Sequence, residues 1–473
     1  MADGELIENR TFDEIAPGDE ASVTRTLSEE DIQLFALVSG DVNPAHLDPD
    51  FAATDMFHRV IAHGMWGGGL ISAVLGTQLP GPGSIYVSQS LRFLRPVCVG
   101  DTITASVRVT EKRPEHCTIV LDCRCRNQNG EEVISGQAEV RAPREKICLP
   151  RIALPDIRVS RHDAYRRLIE QTEGKQPVAT AVVHPCSSQA ILAAVDAAGA
   201  RLIDPILIGP EKKIRAAAAE AGQDISAFRL VDAAHSHAAA ARAVALVGAG
   251  EAGLLMKGSL HTDELMGAIV ARESGLRTER RISHAYVMDV PGHTGSLIIT
   301  DAAINIAPSL EEKADIIRNA IDLAHVLGIA EPRVAILSAV ETVNPALPST
   351  LEAAALCKMA DRGQILGGIL DGPLALDNAI SEAAASEKGI ISPVAGKAEI
   401  LVVPNLEAGN MLAKQLTFLG GADAAGVVLG ARVPIILTSR ADSLRTRLAS
   451  CAIAVLLARA ATKAAPGVPV SAS

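Results

Sequence analysis

The chain has 473 residues and a formal net charge of −11, from 44 Lys and Arg against 55 Asp and Glu. That length predicts two or three domains, and the acidic balance argues against a general nucleic-acid binder and requires local basic pockets for any anionic substrate. No apolar run approaches the roughly 20 residues of a membrane span, and the acidic N-terminus lacks the features of a signal peptide, so we expect a cytoplasmic protein that does not enter a membrane.

The first informative segment is a predicted helix that begins after Ser28. Ser28 supplies a capping hydroxyl, and the acids of residues 29–31 fill the first turn, where negative charge is favourable. Gly40 is suited to end this helix, and Pro44 prevents its simple continuation. A loop is therefore expected directly after the helix.

Asp41 and His46 flank this loop, which can bend both side chains towards one point. A carboxylate and a neutral imidazole that share one water form an acid/base pair. One takes a proton from the attacking water, and the other returns a proton to carbon. Taken alone, this spacing is more often a capping Asp followed by a loop His, so the interpretation depends on the residues around the pair.

Those residues resemble the hydratase motif of MaoC-like, (R)-specific enoyl-CoA hydratases. The motif combines an aromatic residue, the run small-Gly-Asp-x-Asn-Pro-x-His and a later Ala, and it is matched by Phe35, Ser39, Gly40, Asp41, Asn43, Pro44, His46 and Ala52. The resemblance implies a catalytic role for Asp41 and His46 and places Asn43 at the substrate. It also implies an α+β hotdog fold, in which an antiparallel sheet wraps a long helix.

Residues 61–76 are small and apolar nearly all round, which predicts a buried helix. Strands are predicted at 84–94, 101–111, 116–126 and 131–144, consistent with an α+β domain. In the hydratase family, a glycine amide at the start of the buried helix stabilises the thioester oxygen, and Gly64 matches that glycine. For His63 we expect a packing or substrate-lining role.

Residues 151–177 are predicted to be a solvated, Arg-rich linker that runs into a short helix. From residue 178, short apolar strands alternate with Ala-rich helices, which predicts a parallel α/β sheet in two lobes. The predicted domains are a hotdog domain at 1–150, the linker, and an α/β domain at 178–473. Its first lobe comprises about 178–298 plus 440–473, and its second about 299–439.

Residues 248–253 satisfy the dinucleotide-binding pattern Gly-x-Gly-x-x-Gly, but in the wrong context. The residues before them are predicted to be helical, and those after them to form a strand. The pattern requires a strand first and a helix second, because the pyrophosphate lies at the helix N-terminus. We therefore do not expect this segment to bind a dinucleotide.

The second half of the chain resembles the phosphate acetyltransferase and butyryltransferase family, with strings closest to the butyryl-type branch. The resemblance covers about residues 178–457, and the matching strings are at 255–262, 299–305, 338–345, 371–379, 403–412 and 434–442. It implies acyl transfer between CoA and phosphate. Several separate strings in the family's order make the resemblance specific.

This chemistry needs an arginine for the phosphoryl group and a hydroxyl or amide for the carbonyl oxygen. The resemblance implies that Arg440 binds the phosphoryl group and that Ser439 stabilises the carbonyl. A further arginine is expected from Arg272 or Arg277, for which solvated surface charges are the alternative. Acetyl-type enzymes place an Asp several residues after the Ser-Arg pair, where this chain has no acid. Asp442 is nearer and belongs to the butyryl-type string, so the base is left open.

The sequence therefore predicts a bifunctional acyl-CoA enzyme, with CoA thioesters and phosphate as substrates and no metal or cofactor. The family resemblances also imply a homo-oligomer. Three alternatives stay open at this point. The hotdog domain could be a thioesterase, one or both halves of the chain could be an acyl-CoA-binding module without activity, or one half could only organise the oligomer.

Overall fold

The computed structural model describes residues 6–155, 157, 163–293, 295–437 and 442–464. The chain divides into two compact units, residues 1–159 and 160–473. The elements of the first unit are β1 (Leu6–Glu8), β2 (Glu20–Thr26), α1 (Glu29–Ser39), α2 (Pro44–Leu47), α3 (Pro49–Thr54), α4 (Gly64–Thr77), β3 (Ile85–Phe93), β4 (Thr102–Arg113), β5 (Thr118–Arg126), β6 (Glu132–Arg141) and β7 (Cys148–Pro150).

The first unit is built around α4. Five antiparallel strands in the order β2-β4-β5-β6-β3 form its sheet, and α4 packs against β2, β4 and β5. One face of the helix, which includes Ile71 and Val74, is buried in the core, and the opposite face is exposed in the single chain, although the sequence predicts a helix buried nearly all round. Alternate residues of β4, including Ile103, Ala105 and Val107, are fully buried, as expected when one face of a sheet covers a core. This is the hotdog arrangement.

The helix before the loop forms as predicted. The Asp31 amide donates to the Ser28 hydroxyl over 3.0 Å, and the Ser28 amide donates to the Asp31 carboxylate over 3.0 Å. These reciprocal bonds satisfy amides that the first turn leaves unpaired. Gly40 ends the helix with a φ of 74°, a conformation that a residue without Cβ adopts easily. The position of Asp41 is therefore set by local sequence.

The second unit contains one sheet of eleven strands with helices packed against it. Its strands are β8 (Val178–Val183), β9 (Ile203–Gly209), β10 (Arg229–Asp232), β11 (Leu254–Lys257), β12 (Ser283–Asp289), β13 (Leu297–Thr300), β14 (Arg333–Leu337), β15 (Ile369–Leu374), β16 (Ile400–Val402), β17 (Asp423–Leu429) and β18 (Ile435–Ile436). Its helices are α5 (Asp163–Glu170), α6 (Ser188–Gly199), α7 (Glu211–Glu220), α8 (Ser236–Gly248), α9 (Thr262–Val270), α10 (Leu310–Val326), α11 (Pro348–Asp361), α12 (Leu376–Ile380), α13 (Glu382–Glu387), α14 (Leu406–Phe418) and α15 (Leu444–Ala464).

This sheet is mixed, whereas the sequence predicts a parallel one. The strand order is β10-β9-β8-β11-β18-β17-β12-β13-β16-β14-β15. The strands from β10 to β18 are parallel to one another, and so are those from β13 to β15, but each pairing in the run β18-β17-β12-β13 is antiparallel. Three successive reversals make the two parallel groups run in opposite directions. The two-lobed prediction therefore corresponds to two parallel groups joined by antiparallel strands.

Two details of the predicted domain boundaries differ from the structure. The strands β17 and β18, placed in the second lobe by sequence, lie between β11 and β12 of the first. The short helix predicted at the end of the linker is α5, and it packs against α15. Tyr165 and Leu168 of α5 are buried in the core of the second unit, so this helix is not solvated. Residues 158–162 of the linker lie outside the described residues.

The glycine-rich segment at 248–253 has the context expected from sequence, since α8 ends at Gly248 and β11 begins at Leu254. The helix comes before the strand, the reverse of the order that dinucleotide binding needs. In the described part of the chain, no helix has both the length and the apolar character needed to cross a membrane.

Candidate functional site

In the first unit, the loop after α1 brings Asp41 and His46 together. Asn43 caps α2 by accepting a hydrogen bond from the Ala45 amide over 3.2 Å, and Pro44 occupies the first turn of that helix. His46 consequently lies on a short helix, where the sequence predicts only a loop. The side chain of Asn43 is engaged in this cap, so the structure gives it a local role beside the predicted contact with substrate.

The tautomer of His46 follows from its hydrogen bond. Its Nδ1 lies 2.9 Å from the backbone oxygen of Ile61. A carbonyl oxygen can only accept, so Nδ1 carries the proton and Nε2 keeps a lone pair. This arrangement leaves Nε2 able to take a proton from a water molecule.

Asp41 is exposed, and its Oδ1 accepts a hydrogen bond from the Asn43 amide over 3.2 Å. Ligand atoms of Asp41, His46 and His63 all lie within 4.8 Å of one another. Two hydrogen bonds of about 2.8 Å can bridge such a gap through one water molecule. The carboxylate and the imidazole are thus spaced for shared acid/base chemistry.

Gly64 is the first residue of α4, and its N-cap residue, His63, makes no side-chain capping bond. The first amides of a helix have no intrahelical partner and carry partial positive charge. The Gly64 amide is therefore available to a developing negative charge. A cavity of about 610 Å³ is lined by Asp41, His46 and Gly64 together with apolar side chains such as Phe35, Trp66 and Ile134. The polar groups thus meet an apolar pocket.

His63 is a part of this site whose contacts the sequence did not predict. Only 3 % of its surface is exposed, and its Nε2 lies 3.0 Å from the backbone oxygen of Asp41. Its ring lies 4.0 Å from that of His46, between centroids. A signal for this arrangement was present in the sequence, because His63 directly precedes the glycine that begins the buried helix.

Asp41, His46 and His63 are also described residues whose ligand atoms lie close enough together to be considered as a site for a metal ion. Ligands of tetrahedral zinc lie about 3.3 Å apart, from metal bonds of about 2.0–2.1 Å, so a group spread over as much as 4.8 Å would have to contract. The two imidazoles also lie side by side, with planes only 35° apart. This arrangement suits proton transfer better than metal coordination.

In the second unit, Ser439 and Arg440 lie outside the described residues. Arg277 is exposed and lines a cavity of about 580 Å³ together with Arg280, Arg281 and Asn305. Arg272 is also exposed, in a short 3-10 turn after α9, and it does not line that cavity. Of the two candidate arginines, the structure thus places Arg277 at a polar pocket of mixed charge, which is also lined by Glu279, Glu311, Glu312 and Asp315.

Asp442 is the first described residue after Ser439 and Arg440. Its backbone oxygen accepts a hydrogen bond from Arg447 over 3.3 Å. Burial, together with the negative charge of Asp442, raises the pKa of the Tyr286 hydroxyl. Asp442 is therefore close enough to Tyr286 to affect its ionisation.

A buried polar network holds the loop after β13, beside the cavity of Arg277. The carboxylate of Asp301 accepts hydrogen bonds from the Ile304 amide over 2.9 Å and from the His284 amide over 3.2 Å. Asn305 in turn accepts a hydrogen bond from Arg281 over 2.7 Å. Burial lowers the pKa of His284 to about 4, although Asp301 opposes this shift, so the imidazole is uncharged at neutral pH.

Comparisons with known proteins match both units. Residues 14–124 match the family model described as a MaoC like domain, and residues 237–455 match that described as phosphate acetyl/butaryl transferase. A phosphate acetyltransferase of Rhizobium meliloti is 66 % identical over 294 residues, which cover 62 % of this chain and 93 % of the relative. A phosphate butyryltransferase of Clostridium acetobutylicum is 41 % identical over 295 residues, covering 62 % and 98 %.

A branched-chain phosphotransacylase from Enterococcus faecalis V583 has a similar solved structure, with 30 % identity and a TM-score of 0.53. The match covers 59 % of this chain and 99 % of that one. These findings confirm both resemblances and the predicted fold classes, but the higher identity is to an acetyl-type relative, which does not favour the butyryl-type branch. The chain belongs to the phosphate acetyltransferase and butyryltransferase family through its second unit and carries a MaoC-like domain in its first.

Proposed function

We propose that the first unit hydrates trans-2-enoyl-CoA to (R)-3-hydroxyacyl-CoA. The observation that carries this proposal is the convergence of Asp41, His46 and the Gly64 amide on one apolar cavity. Hydration needs groups that move protons at one place and a donor for the thioester oxygen at another. Asp41 and His46 meet the first requirement, and the Gly64 amide meets the second.

In this reaction the water oxygen bonds to C3 of the substrate, and a proton is added at C2. Asp41 and Nε2 of His46 are the two groups that handle these protons, one lost by water and one gained by carbon, so no net proton is consumed. As the bond to C3 forms, negative charge moves onto the thioester oxygen. The amide of Gly64, at the positive end of α4, stabilises that charge.

Loss of the enoyl absorbance, measured alongside thiol release, tests this proposal against a thioesterase. Hydration removes the conjugated double bond and leaves the thioester intact, whereas hydrolysis releases CoA. Purified full-length protein should therefore remove enoyl absorbance from crotonyl-CoA without forming free thiol. Thiol release at the same rate would favour the thioesterase, and neither signal across several chain lengths would favour a binding module.

We propose that the second unit transfers an acyl group between CoA and phosphate. Its family membership supports this activity, and the resemblance assigns the carbonyl to Ser439 and the phosphoryl group to Arg440. Arg277 is a further candidate for the anionic substrate, because it is exposed and lines a polar cavity. Acetyl-CoA or butyryl-CoA with phosphate should release free CoA. If no acyl-CoA tested releases free CoA, the proposal is contradicted.

We also propose a homo-oligomer in which the first units pair. The strand β3 lies at one edge of its sheet, and its residues Ile85, Tyr86 and Val87 are exposed. An exposed apolar edge strand is a template for pairing with another chain. Light scattering on purified protein should give at least twice the 49.3 kDa of one chain. The cytoplasmic location stays a prediction from the sequence.

A further inference from the structure

We propose that His63 is a positioning residue of the hydration site, which acts by holding Asp41. This inference rests on the proposed hydratase activity and goes beyond the packing or substrate-lining role that the sequence suggests. Three contacts of His63 bear on it, the hydrogen bond to Asp41 and the two neighbouring rings, together with its place directly before α4.

The hydrogen bond shows that His63 is the donor and Asp41 the acceptor. The backbone oxygen of Asp41 can only accept, so Nε2 of His63 carries the proton and donates it over 3.0 Å. The bond joins residues 22 positions apart in the chain. It links an exposed loop residue to the buried residue directly before α4.

His63 itself is held firmly. Its side chain lies between the ring of Phe35, at 5.0 Å, and the ring of His46, at 4.0 Å. Its Nδ1 is buried and has no hydrogen-bond partner. A proton on that nitrogen would be a buried donor without an acceptor, which is unfavourable. The surroundings therefore favour one tautomer, the one that donates to Asp41.

Asp41 depends on this support because its other restraints are local. Its amide donates to the Ser39 hydroxyl over 3.2 Å, and its carboxylate accepts from the Asn43 amide over 3.2 Å. These partners, the last residue of α1 and a residue of the loop, lie within two positions of Asp41. The bond from His63 ties Asp41 to the residue directly before Gly64, the proposed oxyanion donor, and the bond between His46 and Ile61 ties the end of the loop to the same segment. Together these bonds fix the distance between the proton-handling groups and the oxyanion donor.

Two substitutions of similar chemistry separate this role from simple packing. The amide nitrogen of Gln can reach the position of Nε2, whereas the shorter Asn reaches only that of Nδ1. We expect His63→Gln to keep kcat for hydration within about threefold of the wild type. We expect His63→Asn to lower kcat about 100-fold with little change in KM, since a displacement of about 1 Å at a catalytic group has an effect of this size.

The chain provides two internal controls. Trp66 is its single tryptophan and is 8 % exposed in the core of the first unit, so its fluorescence reports the folding of that unit. Acyl transfer by the second unit should be unchanged in both variants. Equal kcat for His63→Asn and the wild type, with the wild type active, would overturn the role of His63 alone. An inactive wild type would instead overturn the proposed hydration.

A double substitution tests whether His63 acts through Asp41. In an Asp41→Asn background, His63→Asn should lower kcat by less than about threefold, because residues that act as a unit are not additive. A full 100-fold further loss would overturn the proposal. If His63→Asn fails to fold, nitrogen NMR of histidine-labelled wild type decides the matter, since a proton on Nδ1 of His63 would contradict the donated bond.

Discussion

Gly67 of α4 lies directly beneath the Cδ1 atom of Ile134 in β6, and no side chain could be added to it without displacing that atom. Glycine is a poor helix former, so its place in the middle of α4 is explained by this close contact between helix and sheet. The contact holds α4, and with it Gly64, against the strands that line the cavity.

Gly67→Ala should therefore destabilise the first unit by up to about 1 kcal/mol, less than is usual for overpacking, because Cδ1 is the end of the Ile134 side chain, which lines the cavity and can turn into it. Gly69→Ala is a matched control on the same helix, because nothing lies within 4 Å of the position its Cβ would take. That change should be neutral or stabilising by up to about 1 kcal/mol. Urea unfolding followed by Trp66 fluorescence measures both, and equal stabilities would disprove the packing argument.

Asp41→Asn should lower the hydration rate by a factor of about 10² to 10⁴, the usual contribution of a positioned acid or base. The variant keeps the size of the side chain but removes its charge. Acyl transfer by the second unit should continue at the wild-type rate. Both reactions can be followed on one preparation, and a loss of both activities would contradict the picture of two separate sites.

Arg440→Ala should abolish acyl transfer and spare hydration, because a phosphoryl group loses its charged, bidentate donor. Arg229→Ala is a suitable control. Arg229 forms an exposed ion pair with Glu251 over 2.7 Å, and such pairs contribute little. Release of CoA from acetyl-CoA and phosphate is the measurement. Wild-type transfer by the Arg440 variant would remove the role assigned by family resemblance.

The second unit should lose stability in mild acid through His284. Its pKa is lowered by burial to about 4 in the folded chain and is about 6.5 when unfolded. Between these values the unfolded chain binds the extra proton, so the stabilisation present above pH 6.5 decreases as the pH falls towards 4. From pH 7 to pH 5 the loss from this residue is about 2 kcal/mol.

The His284→Gln variant provides the comparison, since it lacks the titrating group. Urea unfolding followed by circular dichroism, at pH 5 and pH 7, measures the free energy of unfolding. The wild type should lose more stability than the variant between these two values. If both proteins lose the same amount, another group accounts for the pH dependence.

Local sequence was enough to predict much of the first unit. Ser28 and Gly40 bound α1 because capping and left-handed backbone depend on single residues and their near neighbours. The run at 61–76 identified the central helix because its apolar residues need a core to cover them, although one of its faces is exposed in the single chain. The pair Asp41 and His46 was found because its motif lies within one short stretch of the chain.

Other features depended on contacts between distant segments, which a single sequence does not reveal. The strands β2 and β10 were missed because each is an edge strand with only two apolar residues, too few for a clear pattern, and pairs with one neighbour in its sheet. The reversal of direction across β18, β17, β12 and β13 is set by which strands pair, and the burial of Tyr165 by where α15 lies. The bond from His63 to Asp41 likewise joins two segments that are distant in the sequence. The sequence by itself determined most of the helices and strands and the reacting groups, because these follow from neighbouring residues. Only the tertiary structure decided the strand directions and the support of Asp41, because these arise from pairing across the fold.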